Sequence, residues 1–142
     1  MTAMRLLVLV FLITLGLAAL SVSAAAVLNP VRATMSTSST TPLVDTPWRY
    51  TITVKDQAGK PVAAKVRLQI LLGTLVVGCW KSTAMVQCSG ARAGTWITFK
   101  GKRTATIAWP AQSAGIKLTF QATVVAGTRT LRLRAPIRVR LA

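Results

Sequence analysis

The chain contains no histidine and no glutamate, and its only carboxylate side chains are those of Asp45 and Asp56. Histidine is the commonest general base, and paired carboxylates carry out glycoside hydrolysis and hold many metal ions. A zinc site would have to take its four ligands from two cysteines and these two distant aspartates, which is an implausible set. The sequence therefore predicts a non-enzymatic protein without a metal or another cofactor.

Motifs of nucleotide-binding proteins and hydrolases are also missing. The chain has no G-x-S-x-G, no G-x-x-x-x-G-K-[ST] and no G-x-G-x-x-G. A Ser/Lys or Thr/Lys dyad stays open, because serine, threonine and lysine are plentiful, but no spacing singles out an activated nucleophile. We therefore expect a binding or structural protein that has no small-molecule substrate.

The first 24 residues contain the three parts of a secretory signal peptide. Arg5 gives the positive start, Leu6 to Leu20 form the apolar middle, and Val22-Ser23-Ala24 supply the small residues before a cleavage site. The alternative is an uncleaved N-terminal anchor, because about 20 apolar residues are enough to cross a bilayer. Both alternatives place the rest of the chain outside the cytoplasm, either secreted or in the cell envelope.

Basic residues greatly outnumber acidic ones. The chain has 18 lysines and arginines against two aspartates, and loss of Arg5 with the signal would leave a net charge of 17 − 2 = +15. A surface that only needs solubility normally carries both signs. The balance therefore predicts attraction to polyanions such as teichoic acid, acidic glycan, phospholipid head groups or nucleic acid.

Two segments follow the signal. Residues 25–47 are rich in serine and threonine, especially over 34–42, and such a composition predicts a solvated linker. From Trp48 to Ala142 apolar and polar residues alternate with a period of two over 50–54, 66–70, 116–124 and 131–141. With less regular runs at 71–80, 95–100 and 104–109, and with glycine turns between them, this pattern predicts an all-β antiparallel sandwich.

The run Val54-Lys55-Asp56-Gln57-Ala58-Gly59-Lys60-Pro61-Val62 matches the pattern V-x-D-x-x-G-x-P-V. It resembles the opening of bacterial Ig-like domains, which include invasin-type adhesin modules and related extracellular modules. In this motif Asp56 and Gly59 shape a turn, and Pro61 stiffens the start of the next strand. The resemblance covers 48–142 in a single copy. It implies an immunoglobulin-like β-sandwich of about seven strands after the signal helix, and it says almost nothing about function.

Cys79 and Cys88 are the only cysteines. Export would place them in an oxidising environment, and the chain has neither histidine nor C-x-x-C spacing. We therefore predict a disulfide rather than a redox or metal pair.

The last predicted strand carries arginines at alternating positions. Side chains two residues apart on a strand point the same way, about 6.6 Å apart. With outward lysines and arginines on neighbouring strands they form a candidate polyanion-binding set: Arg132, Arg134, Arg138, Arg140, Lys117, Lys65 and Arg67. The plainer alternative is a solvated edge strand whose arginines and Pro136 discourage aggregation.

Two functions remain open from the sequence. The first is an exported module that binds an anionic envelope polymer or membrane surface by charge. The second is a structural or accessory module that docks on another protein of a secreted or cell-surface complex.

Overall fold

The computed structural model describes residues 30–142. The predicted signal peptide or anchor, residues 1–24, lies outside the described residues. Among residues 30–142, no helix is long and apolar enough to span a bilayer.

The described chain folds into two antiparallel sheets, which confirms the predicted all-β sandwich. The strands are β1 (Arg32–Thr37), β2 (Trp48–Lys55), β3 (Ala63–Leu72), β4 (Leu75–Lys81), β5 (Ala84–Gln87), β6 (Ile97–Lys100), β7 (Lys102–Ile107), β8 (Lys117–Ala126) and β9 (Arg129–Arg138), with a short 3-10 helix at Ala111–Ser113. The smaller sheet has the order β1-β2-β7. The larger sheet has the order β5-β4-β3-β8-β9, and β6 also pairs with β3.

The core lies between the sheets and is built from the inward half of each alternating pattern. In β2, Trp48, Tyr50 and Ile52 are buried, while the residues between them are more exposed. The Trp48 ring packs edge-on against Trp109 and Phe120, with centroid distances of 5.4 and 5.1 Å. Aromatic pairs favour this geometry, so the rings fix how the two sheets meet.

Strand β3 is the centre of the larger sheet. One of its sides pairs with β8 from Lys65 to Leu71. Its other side is shared, because β6 pairs with the first part of the strand and β4 with the last part. On the outer side of β3, Lys65 and Gln69 therefore have strand neighbours on both sides, whereas Arg67 lies between the parts paired with β6 and β4.

The predicted turn residues form the connection between β2 and β3. The Asp56 carboxylate accepts a hydrogen bond from the Lys60 N–H at 2.9 Å, and the Gly59 N–H donates to the Asp56 carbonyl at 3.0 Å. Gly59 has a φ of +80°, which glycine adopts without steric cost. This places Pro61 just before β3, in the position that the motif predicts.

Gly101 carries the chain from β6 in the larger sheet to β7 in the smaller one. Its φ is +74°, and a Cβ at this position would lie 2.6 Å from the Cβ of Pro61. Its N–H donates to the Val62 carbonyl and its carbonyl accepts from the Val54 N–H. Only glycine fits here, because the crossover lies directly on the β2–β3 turn.

The structure corrects the predicted linker over 25–47, because this segment contains β1. The strand pairs with β2 from Arg32 opposite Lys55 to Thr37 opposite Tyr50. Ala33 and Met35 are half-buried against the core, while the serines and threonines that suggested a linker alternate with them. The sandwich therefore begins well before Trp48.

The structure also corrects the expected number of about seven strands, because residues 30–142 alone contain nine. The run 71–80 divides into the end of β3 and most of β4, because Gly73 and Thr74 form a tight hairpin loop with a Gly73 φ of +61°. Strands β1 and β5 are the two that neither the alternating segments nor the less regular runs predicted.

Candidate anion-binding face

The outer side of the larger sheet collects the basic residues that the sequence singles out. In the register of β3, β8 and β9, Arg67 lies opposite Thr123, which lies opposite Arg132. Lys117 lies directly opposite Arg138. We call the whole set the cationic face: Lys65, Arg67, Lys117, Arg132, Arg134, Arg138 and Arg140.

Strand geometry sets the spacing of these charges. Neighbouring strands lie about 4.8 Å apart, and alternate residues along one strand lie about 6.6 Å apart. Arg138 and Lys117 form a like-charged pair across two strands, an arrangement that is unfavourable unless a counter-charge is present. Arg140 follows the same alternation just beyond β9 and is exposed. The face thus presents cations in two directions at regular intervals.

A chain of side-chain hydrogen bonds crosses the middle of the cationic face. The Arg134 Nε donates to Gln121 Oε1 at 2.8 Å, and Gln121 Nε2 donates to Gln69 Oε1 at 3.2 Å. Gln69 Nε2 then donates to the carbonyls of Ala91 and Ala93 at 3.0 and 2.8 Å. Since arginine only donates and a carbonyl only accepts, the two ends fix the orientation of both amides.

Sequence reasoning missed these two glutamines. They occupy outward positions of alternating strands, which normally mark solvated residues, yet Gln69 is only 1% exposed and Gln121 only 7%. The loop 88–94 covers Gln69, and nothing in the sequence indicates that this loop folds over the sheet. Their direct opposition, Gln69 to Gln121, also becomes visible only in the register.

The predicted disulfide between Cys79 and Cys88 is confirmed, with a Cα–Cα distance of 5.9 Å. Cys79 is buried and lies opposite Gln69 in the sheet, so the bond reaches the same outer side. Cys88 begins the loop 88–94, in which the Ala91 and Ala93 carbonyls accept hydrogen bonds from Gln69. Closing a loop this short contributes about 2–3 kcal/mol, mostly through the unfolded chain. The disulfide therefore holds the loop where it orients the glutamines.

Arg67 is fixed by several contacts at once. Its guanidinium carbon and the Lys65 ammonium each lie 4.8 Å from the centroid of the Trp96 ring. Its Nη1 donates to the Arg92 carbonyl at 3.3 Å. Burial lowers the pKa of Arg67, and the positive charges of Arg92 and Arg132 lower it further. Positive charges therefore surround the guanidinium, and a bound anion would offset the repulsion between them.

A groove of about 570 Å³ runs along this face. At one end its walls are the cationic and polar side chains of Arg67, Gln121, Arg132 and Arg134. Towards the β3–β4 hairpin the lining becomes apolar and includes Leu75. The groove therefore has room for a charged group of a polymer or head group.

Within residues 30–142, no group of three or more His, Cys, Asp or Glu side chains could hold a metal ion. Asp56 is occupied in the β2–β3 turn. Asp45 lies in the segment between β1 and β2, with a φ of +52°.

Comparison with known proteins gives distant structural likenesses. No family model matches the sequence, and no curated protein matches it. The CARDB domain of the PF1109 protein from Pyrococcus furiosus, described in complex with di-metal ions, is 18% identical with a TM-score of 0.47, over 78% of this chain and 87% of that one. A DUF4466 family protein from Parabacteroides merdae is 13% identical with a TM-score of 0.46, over 77% of this chain and 45% of that one. The resemblance to invasin-type modules stays a prediction, and the β-sandwich rests on the topology itself.

Proposed function

We propose that this chain is an exported, non-enzymatic β-sandwich module that binds anionic components of the cell envelope by charge. The observation that carries the proposal is the gathering of cations from β3, β8 and β9 on one outer face. The chain has 17 lysines and arginines after the predicted signal and only two aspartates, so little internal neutralisation is available.

The construction of the face supports binding beyond general charge. Arg67 and Arg134 are positioned by hydrogen bonds, so less side-chain entropy is lost when an anion arrives. The exposed Arg132 and Arg138 lie on the same strand and extend the face along a chain-like ligand. A repeated anion, such as a polyphosphate or an acidic glycan, fits this spacing.

The test compares two variants that lose the same charge. Arg132→Gln with Arg138→Gln removes two exposed cations of the cationic face, and neither takes part in the hydrogen-bonded chain. Arg49→Gln with Lys55→Gln removes two exposed cations from β2 in the smaller sheet. Binding of the mature domain to polyphosphate is measured by titration at 50 and 200 mM NaCl.

We expect the cationic-face variant to weaken binding about tenfold or more and the β2 variant to weaken it only slightly, because surface charges beyond about 8–10 Å are screened. Binding of the unchanged domain should fall steeply with salt. Equal losses in both variants would mean that net charge alone attracts the ligand. Binding that survives high salt unchanged would overturn the mechanism and favour an accessory module that docks on a secreted protein.

A further inference from the structure

One end of the sandwich exposes an unusual number of large aliphatic side chains. Leu75 is 68% exposed and Leu141 is 70% exposed. Three more exposed residues belong to the same end, and we call the five together the apolar rim: Leu43, Leu72, Leu75, Ile116 and Leu141.

The β3–β4 hairpin brings two of these residues together. Leu72 and Leu75 lie opposite each other and flank its two-residue loop. In the β3–β8 register Leu71 lies opposite Thr119. If this antiparallel register is continued by two residues, Gly73 lies beside Lys117. The hairpin tip therefore adjoins the start of β8, which Ile116 immediately precedes.

The chain end brings the other residues to the same place. Leu43 forms a parallel bridge with Arg140, the residue before Leu141. The Gly115 N–H donates to the Val139 carbonyl at 2.8 Å, which ties the start of β8 to the segment after β9. The five side chains therefore converge at one end, although they come from four separate parts of the sequence.

Cations border these apolar side chains on the outer side of the sheet, because basic and apolar residues alternate there along the chain. Lys117 and Arg138 pair beside the hairpin tip, and Arg140 lies next to Leu141. Exposed apolar side chains beside lysine and arginine suit a bilayer surface, where the former enter the boundary of the acyl region and the latter meet anionic head groups. A soluble polyanion would contact the cations but would leave the leucines in water.

We propose that the apolar rim docks this domain on an anionic lipid bilayer, with the β3–β4 hairpin inserted and the cations beside it at the head groups. The proposal rests on the proposed function, since it names a lipid surface as the anionic component. Large exposed apolar patches with polar borders are typical of protein or membrane contacts, and the adjoining cations favour the membrane.

The hairpin variant Leu72→Ser with Leu75→Ser tests insertion separately from charge. The control Leu131→Ser also removes a partly exposed apolar side chain, but from the start of β9, at the opposite end of the sheet from the rim. Each mature protein is titrated with vesicles of phosphatidylcholine and phosphatidylglycerol, with pure phosphatidylcholine vesicles, and with polyphosphate. Circular dichroism checks that each variant is folded.

We expect the hairpin variant to lose about tenfold or more in affinity for the anionic vesicles and to keep its affinity for polyphosphate. The reason is that the leucines insert into a bilayer but make no contact with a soluble polyanion. Leu131→Ser should match the unchanged domain with both ligands, and neutral vesicles should bind weakly. Vesicle binding that the hairpin variant retains would overturn insertion. Binding to polyphosphate but not to vesicles would overturn this inference alone, and binding to neither would overturn the proposed function as well.

Discussion

Gln69 connects the central strand of the larger sheet to the loop that covers it. Its amide nitrogen donates hydrogen bonds to two carbonyls of the loop, and its amide oxygen accepts a hydrogen bond from Gln121. A buried amide that satisfies both neighbours contributes mainly because its loss leaves them without partners. The order of the loop and the position of Arg134 therefore depend on one side chain.

Replacing Gln69 by leucine tests this dependence. We expect Gln69→Leu to lower the free energy of unfolding by about 1–3 kcal/mol, because it leaves Gln121 Nε2 and the Ala91 and Ala93 carbonyls without their partner. The measurement is urea denaturation followed by tryptophan fluorescence. The control is Gln87→Leu at an exposed position of β5, where a change within about 0.5 kcal/mol is expected. Equal effects in the two variants would contradict a structural role for the amide chain.

At this scale the sequence predicts what depends on near neighbours. The turn residues Asp56 and Gly59 and the disulfide between Cys79 and Cys88 follow from residue type and short separation. The pairing of Gln69 with Gln121 depends on a register between strands 52 residues apart, which alternation alone cannot supply.

At the scale of the elements, β1 is the strand most easily mistaken for something else. Four of its six residues are alanine, serine or threonine, a composition typical of solvated chain, and its partner β2 supplies the order through backbone pairing. The stronger alternating segments, β2, β3, β8 and β9, were predictable because large apolar residues occupy every second position. Local composition describes a strand poorly when the strand depends on a neighbour for its stability.

Removal of β1 distinguishes a linker from a strand. A chain that starts at Ser38 should show a lower melting temperature than one that starts at Ala25, because β2 loses its edge partner and the core loses Ala33 and Met35. Calorimetry measures both chains. A second chain that starts at Pro30 keeps β1 and should match the longer one. Equal melting temperatures for all three would contradict a stabilising role for β1.

For the whole molecule, the excess of positive charge acts on stability and on binding in opposite directions. Self-repulsion destabilises a compact chain with 17 basic and two acidic residues after residue 24, whereas the same charges attract an anion. The net charge was predictable from composition, but the strand order decides which seven cations share the cationic face.

Salt should therefore separate the two effects. We expect the melting temperature to rise between 50 and 500 mM NaCl while affinity for polyphosphate falls, because screening weakens both repulsion and attraction. The control is Arg49→Gln with Lys55→Gln, whose lower charge should reduce the rise in melting temperature. A melting temperature that stays constant or falls as salt is added would show that repulsion between the cations does not measurably destabilise the fold.

The direction of β1 has a consequence for how the domain stands on a surface. Arg32 lies beside Lys55, at the end where β3 begins, while the apolar rim lies at the end where β3 finishes, about 30 Å away along ten residues. A domain that lands on lipid through its rim would point Pro30 away from that bilayer. If residues 1–24 stay embedded in one membrane, the N-terminal end of the domain faces that membrane and the apolar rim faces a second one. The domain then holds the two membranes apart.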